Sequence, residues 1–155
     1  LQHGAARVVG VDVGSGQLHP QLRQDPRVLA LEGVNARHLE ADDFAAPEVS
    51  FDLIVGDLAF ISQTLVMPAC VLFLRAGGAV LMLVKPQFEL QPGQVGKGGI
   101  VRDESLYAEV EQRIRACYTE LGLIVQGWYE SPILGGDGNR EFFVFAQKPS
   151  AQTSG

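Results

Sequence analysis

Two apolar segments, each followed by a single charged residue, constrain the fold of this chain most strongly. The first reads FDLIVG from residue 51 and leads to Asp57, and the second reads AVLMLV from residue 79 and leads to Lys85. Short apolar runs of this kind are typical of buried strands in a parallel sheet. Ligands bind at the carboxyl ends of such strands, so Asp57 and Lys85 are candidates for an active site. The alternative is that Asp57 caps a turn and Lys85 lies on the surface.

Apolar strands alternate with helices along most of the chain. This order predicts an α/β fold with a mostly parallel sheet. The last two strands flank the turn-rich segment PILGGDGNR and should form an antiparallel hairpin. Strands are predicted at residues 7–12, 27–31, 51–56, 79–84, 123–131 and 141–147, and helices at residues 17–24, 68–74 and 103–121.

The helix predicted at residues 103–121 has the clearest pattern. Asp103 suits the N-cap, and Gly122 suits the C-terminal end. Its apolar residues recur at helical spacing and define one buried face. The members of this stripe are Leu106, Val110, Ile114, Cys117 and Leu121.

The composition is that of one globular domain. Of 155 residues, 46% are hydrophobic and 19% are charged, which excludes a disordered chain. The net charge of −6 argues against strong nucleic-acid binding by this chain alone, since phosphate contacts supply most non-specific affinity. No apolar run reaches the length of a membrane span, and no signal peptide is visible. Reduced cysteines at positions 70 and 117 and the lack of metal-ligand spacing predict a cytoplasmic protein without a metal site.

Two glycine-rich stretches resemble phosphate-binding motifs only in part. Gly14 and Gly16 follow a strand that ends at Asp12, but His19 occupies the position of the third glycine in a dinucleotide fingerprint. In GQVGKGG, Gly98 stands where a phosphate loop needs Ser or Thr. Asp12 itself is either a ribose-binding acid at a strand tip or a turn residue.

The segment at residues 86–102 is a long glycine-rich loop. Loops of this length inside a compact domain are usually functional, and often serve as lids. The alternative is a flexible surface excursion.

Six motifs occur in one order along the chain: VDVGSGQL, NAR, DLAFIS, LVKPQFE, GQVGKGGIVRD and GNREFFVF. Together they resemble the hemolysin-A-type (TlyA) ribosomal-RNA 2′-O-methyltransferases, within the FtsJ-like superfamily. The resemblance covers about residues 8–145. It implies a Rossmann-like class I methyltransferase fold and S-adenosylmethionine as cofactor. It also implies methylation of a ribose in ribosomal RNA, with cytidine as the favoured nucleotide.

The superfamily uses a Lys-Asp-Lys-Glu tetrad, and three of its positions match Asp57, Lys85 and Glu141. The resemblance therefore implies that Lys85 is the general base and that the two carboxylates orient it. A ribose hydroxyl must lose its proton as it attacks the methyl group, and a neutral lysine amine can accept that proton. Methyl transfer requires no metal.

The resemblance also implies ligand-binding positions. Asp12 would accept hydrogen bonds from the cofactor ribose, Asn35 and Ala36 would lie near the adenine, and Asp57 and Leu58 would lie along the cofactor edge. The loop after Lys85 would cover the RNA through Gln87, Lys97 and Arg102.

Several family features are missing from the printed sequence. These are an upstream S4-type RNA-binding domain, the motif with the first tetrad lysine, and the first glycine-rich strand, loop and helix. We therefore expect residues 1–149 to be a partial FtsJ-like domain and residues 150–155 to be a disordered tail. Ribosomal RNA or ribosomal subunits would be contacted mainly through the S4 domain. The missing strand would lie beside strand 51–56, so exposed sheet edges there invite self-association.

Two other functions remain open from the sequence. One is a non-catalytic RNA-binding or ribosome-binding module built on the same fold. The other is the haemolytic activity in the family name, which is disfavoured because no amphipathic stretch suited to membranes is present. Loss of methyl transfer on replacement of Lys85 by Ala would distinguish an enzyme from the binding module.

Overall fold

The computed structural model describes residues 2, 4–12, 16, 18–44 and 50–150. The chain divides into two compact units, Leu1–Val49 and Ser50–Gly155. Of the predicted disordered tail at residues 150–155, residues 151–155 lie outside the described part of the chain. Gly14 of the G-x-G pattern lies outside it as well.

The first unit is built on two parallel strands, β1 (Val8–Asp12) and β2 (Val28–Glu32). They are joined through a short helix, α1 (Pro20–Arg23), in which Pro20 occupies a first-turn position that suits its fixed φ. In the register of the pair, Asp12 lies beside Glu32. Two acidic side chains therefore end neighbouring strands at one edge.

The second unit is a four-stranded mixed sheet with the strand order β3-β4-β6-β5. β3 and β4 are parallel, whereas β6 is antiparallel to both of its neighbours, β4 and β5. The α/β fold and the C-terminal hairpin are therefore confirmed. The elements are β3 (Phe51–Asp57), α2 (Gln63–Cys70), β4 (Leu74–Val84), α3 (Ser105–Glu120), β5 (Ile124–Glu130) and β6 (Phe142–Gln147).

The predicted start of the second helix is wrong. Helix α2 begins at Gln63 and contains Pro68 within it, rather than beginning at Pro68. Ser62 is the N-cap, and its side-chain oxygen accepts a hydrogen bond from the Thr64 amide at 3.1 Å. Strand β4 then begins at Leu74, earlier than the predicted residue 79. The side-chain cap outweighed the preference of proline for a first turn.

Helix α3 covers the core of the second unit. Val110 and Ile114 of the predicted stripe are fully buried, and Tyr118 is buried with them although the prediction omitted it. They pack in one cluster with buried side chains of β4 and β6, including Val80 and Val144. Among the described helices, none has the length and apolar character needed to cross a bilayer.

The glycine-rich loop after β4 has a defined path. It contains three 3₁₀ turns, Pro86–Phe88, Pro92–Gln94 and Lys97–Gly99. Leu90 and Val101 are buried in the core cluster. The loop is therefore packed against the core at Leu90 and Val101, while its residues 91–93 and 97–98 are exposed.

Candidate active site

Three predicted catalytic residues lie at one end of the four-stranded sheet, where β3 and β4 terminate and β6 begins. Asp57 is the last residue of β3, and Lys85 follows directly after β4. The register pairs Val84 of β4 with Phe142 of β6, so Glu141 enters β6 opposite Lys85. The Lys85 Nζ atom lies 2.7 Å from Oδ1 of Asp57. The fold therefore pairs the base candidate with Asp57 and places Glu141 on the neighbouring strand.

The three side chains differ in their exposure to solvent. The Asp57 side chain is 61% exposed and that of Lys85 is 19% exposed. Glu141 is buried, with 8% of its surface accessible. The edge thus presents an open carboxylate, a largely covered amine and a buried carboxylate.

Sequence reasoning missed Asp137 and Gly135, which lie in the hairpin loop before Glu141. A Cβ atom at Gly135 would come within 2.7 Å of Oε2 of Glu141 and 3.2 Å of Oδ1 of Asp137. Asp137 Oδ2 also accepts a hydrogen bond from Nε2 of Gln87 at 3.2 Å. Hydrogen bonding from the Asn139 backbone lowers the pKa of Asp137, and the charge of Lys85 contributes in the same direction. Of these features, only the close approach at Gly135 could be suspected from the sequence, because a Gly-Gly pair stands there.

Asn139 joins this hairpin loop to the glycine-rich loop. Its buried side chain accepts a hydrogen bond from the Val101 amide at 2.9 Å and donates to the Gly99 carbonyl at 2.7 Å. The predicted RNA-binding residues Lys97 and Arg102 flank that anchor, and both are exposed. The glycine-rich loop is therefore held against the segment that carries Glu141.

Gln87, the third predicted RNA-binding residue, faces a different environment. It is half-buried, and its Oε1 atom is buried without a hydrogen-bond partner. Leu58, which was predicted to line the cofactor, packs partly buried against the core. The structure thus places Gln87 beside Asp137 and gives the Leu58 side chain a packing role.

A shallow pocket lies in the first unit, at the ends of β1 and β2. It is lined by Asp12 and Glu32 at the ends of β1 and β2, together with apolar residues of both strands. Glu32 Oε2 pairs with Arg23 at 2.7 Å, whereas its Oε1 atom is buried without a hydrogen-bond partner. Such an acceptor at a strand end suits a ribose hydroxyl. Asp12 is the predicted residue in this lining, and Glu32 is a further acidic residue that was not predicted there.

The two remaining cofactor candidates follow β2. Asn35 is exposed, and its side-chain oxygen accepts a hydrogen bond from the Arg37 amide at 3.0 Å, which caps a 3₁₀ turn. Ala36 is the first residue of that turn. The Asn35 side chain therefore shapes the turn locally.

Phe60 is the most exposed of the large apolar side chains at this edge. It is 90% exposed and has a φ of +64°, which is rare for a residue with a side chain. Its ring lies 5.1 Å from the ring of Phe88, between centroids. Phe60 and Phe88 each follow a charged site residue by three positions. Strain of this kind is concentrated at functional sites.

A model of the FtsJ-like methyltransferase family matches residues 1–148. The chain belongs to this family. The resemblance inferred from the six motifs is therefore confirmed. Among the relatives of this FtsJ-like chain is the 16S/23S rRNA (cytidine-2′-O)-methyltransferase TlyA of Mycobacterium tuberculosis, which is 44% identical over 145 residues. The match covers 94% of this chain and 53% of the relative, so the chain spans about half the length of that protein.

Solved structures agree with this FtsJ-like assignment. A hemolysin-named protein from Streptococcus thermophilus is 42% identical, with a TM-score of 0.89 over 99% of this chain and 55% of that one. The N-methyltransferase NodS of Bradyrhizobium japonicum, solved with S-adenosyl-L-homocysteine, has a TM-score of 0.60 at 12% identity. That match covers 93% of this chain and 67% of NodS, and it shows the methyltransferase fold alone.

Proposed function

We propose that this chain is the catalytic part of an S-adenosylmethionine-dependent 2′-O-methyltransferase that acts on ribosomal RNA. The observation that carries the proposal is the ion pair of Lys85 with Asp57 at the sheet edge, opposite Glu141, in an FtsJ-like chain. The TlyA relative is named for a cytidine ribose in 16S and 23S rRNA. We propose cytidine as the target here too.

Lys85 is the proposed general base. Its Nζ, in the neutral form, accepts the proton of the ribose 2′-hydroxyl, which leaves the oxygen able to form a bond to carbon. Asp57 holds Nζ through the 2.7 Å contact, and the buried Glu141 is proposed to help orient the amine. Positioning of this kind lowers the barrier because the reacting groups are already oriented.

S-adenosylmethionine, when bound, supplies the methyl group. Asp12 and Glu32 are proposed to hold its ribose hydroxyls, since both line the pocket at the ends of β1 and β2. Asn35 and Ala36 are proposed near the adenine, and the backbone at Asp57 and Leu58 along the cofactor edge.

Gln87, Lys97 and Arg102 are proposed to contact the RNA. Lys97 and Arg102 are exposed cations, and exposed aromatic rings such as Phe60 are surfaces on which unpaired bases stack. Because the net charge of −6 disfavours phosphate binding by this chain alone, we propose that another domain makes most phosphate contacts. An S4-type domain is our candidate for that role, and the cytoplasm is the proposed location.

Replacement of Lys85 tests the proposal directly. We expect Lys85→Ala in the intact protein to lower kcat for transfer of labelled methyl groups to ribosomal RNA by about 100-fold or more, the contribution of a positioned base. Lys148→Ala is the matched control, because that ammonium binds the carbonyls of Val71 and Leu74 instead. Full activity of a folded Lys85→Ala protein would remove Lys85 as the base.

A further inference from the structure

Glu89 is a buried carboxylate that the proposed chemistry does not use. It follows Lys85 by four residues, and only 6% of its surface is accessible. Burial of a carboxylate is costly unless hydrogen bonds compensate for the lost water. Burial raises the pKa of Glu89, although hydrogen bonds from Ser62 and Gln63 and the charge of Arg113 oppose that shift. The groups that hydrogen-bond to the Glu89 carboxylate therefore indicate its structural role.

The Glu89 carboxylate binds the beginning of helix α2. Oε2 accepts a hydrogen bond from the Ser62 hydroxyl, and Oε1 accepts one from the Gln63 amide at 3.0 Å. The Ser62 oxygen in turn accepts from the Thr64 amide at 3.1 Å. These bonds satisfy amides that the first turn of a helix leaves without partners, at the end where negative charge is favoured.

This contact joins the two segments that carry the ion pair. Ser62 follows Asp57 by five residues, and Glu89 follows Lys85 by four. The hydrogen bond between Ser62 and Glu89 therefore joins the same two segments a few residues after the ion pair of Asp57 and Lys85. Residues 58–62, which connect Asp57 to α2, form no helix or strand, and they include Phe60 with its positive φ.

Helix α3 anchors both sides of the contact. Gln63 is buried, accepts from the Tyr118 hydroxyl at 2.5 Å and donates to the Leu83 carbonyl at 3.3 Å. Arg113 donates to the backbone carbonyl of Glu89. The position of Glu89 is therefore set by the scaffold helix rather than by the loop alone.

We infer that Glu89 is a positioning residue, which holds the segments after β3 and β4 so that Asp57 and Lys85 stay at ion-pair distance. Glu89 does not touch the reacting atoms. This role rests on the proposed function where kinetics are measured. The environment of Lys85, in contrast, can be measured in a protein without enzymatic activity.

The variant Glu89→Gln tests this role. It keeps the size of the side chain and one acceptor oxygen, but an amide group replaces the oxygen that accepts from Ser62. We expect the rate at which acetic anhydride acetylates Lys85, followed by peptide mass spectrometry, to rise about fivefold as the ion pair loosens. Lys97 and Lys148 serve as internal references and should react at unchanged rates.

Kinetics give the second readout. Glu89→Gln should lower kcat for methyl transfer about tenfold and leave the KM for RNA unchanged, because the loss concerns alignment rather than binding. Glu111→Gln is the matched control, since that carboxylate pairs at 2.8 Å with Arg115 of α3, and not with the Arg113 that binds Glu89. It should change neither readout.

A second variant keeps the test decisive if Glu89→Gln does not fold. Ser62→Ala removes the partner of Oε2, and should reproduce the rise in Lys85 acetylation. In a double variant the two effects should not add, because both remove one interaction. Folded variants with wild-type Lys85 acetylation would overturn the inference. If the wild-type protein transfers no methyl groups, the proposed function fails, and the acetylation rates still decide the role of Glu89.

Discussion

At the residue scale, Gly135 has a role that its neighbour Gly136 lacks. A Cβ at Gly135 would lie 2.7 Å from Oε2 of the buried Glu141, whereas a Cβ at Gly136 would meet nothing within 4 Å. Gly135→Ala should therefore displace the Glu141 carboxylate and lower kcat for methyl transfer about tenfold or more. Gly136→Ala is the matched control and should retain activity. Equal activity of the two folded variants would show that the position of Glu141 is unimportant.

Glu32 carries a second residue-scale prediction. Its buried Oε1 lacks a partner, so a cofactor hydroxyl would gain a hydrogen bond there. Glu32→Gln should weaken S-adenosylhomocysteine binding about tenfold in calorimetric titration of the intact protein.

Two control variants separate this effect from general loss of charge. Arg23→Met removes only the exposed partner of Oε2 and should weaken binding less. Glu40→Gln, at an exposed position in the same unit, should leave the Kd unchanged. A wild-type Kd for Glu32→Gln would place the ribose elsewhere.

At the element scale, α2 is fixed to α3 by a buried polar contact. The Tyr118 hydroxyl donates to Gln63 Oε1, and burial raises the pKa of Tyr118 well above its ordinary value. Tyr118→Phe would leave a buried acceptor without a donor, and should lower the free energy of unfolding by about 1–3 kcal/mol. Tyr129→Phe, at a 56% exposed position on β5, should change it little. Chemical denaturation of both variants measures the difference, and equal stabilities would contradict the prediction.

At the scale of the whole molecule, β3 leaves an apolar edge. In the part of the chain that the structure describes, β3 pairs with β4 on one side only, and its Leu53 and Val55 are 54% and 64% exposed. We expect this 155-residue chain to self-associate through that edge. Light scattering after size exclusion should show a dimer or larger species, and Val55→Lys should reduce it to a monomer. Leu72→Lys, which is 74% exposed outside a strand, is the control. A monomeric wild-type chain would contradict this expectation.

Local sequence patterns were enough to predict that the strands exist, which face of α3 is buried and which charges follow β3 and β4. These features depend on local patterns: apolar runs predict β3 and β4, helical spacing predicts the burial of Val110 and Ile114, and the last position of a strand places Asp57. The ordered motifs also determined the family, which the comparison over residues 1–148 confirms.

Contacts between side chains that are far apart in the sequence could be seen only in the folded chain. Ser62 and Glu89 are 27 residues apart, and Val101 and Asn139 are 38 apart, yet each pair is bonded. The first contact lies at the N-terminus of α2, which begins at Gln63 rather than at Pro68, and the second joins the glycine-rich loop to the hairpin loop. Buried polar groups must find partners wherever packing brings them, and local spacing carries no information about that.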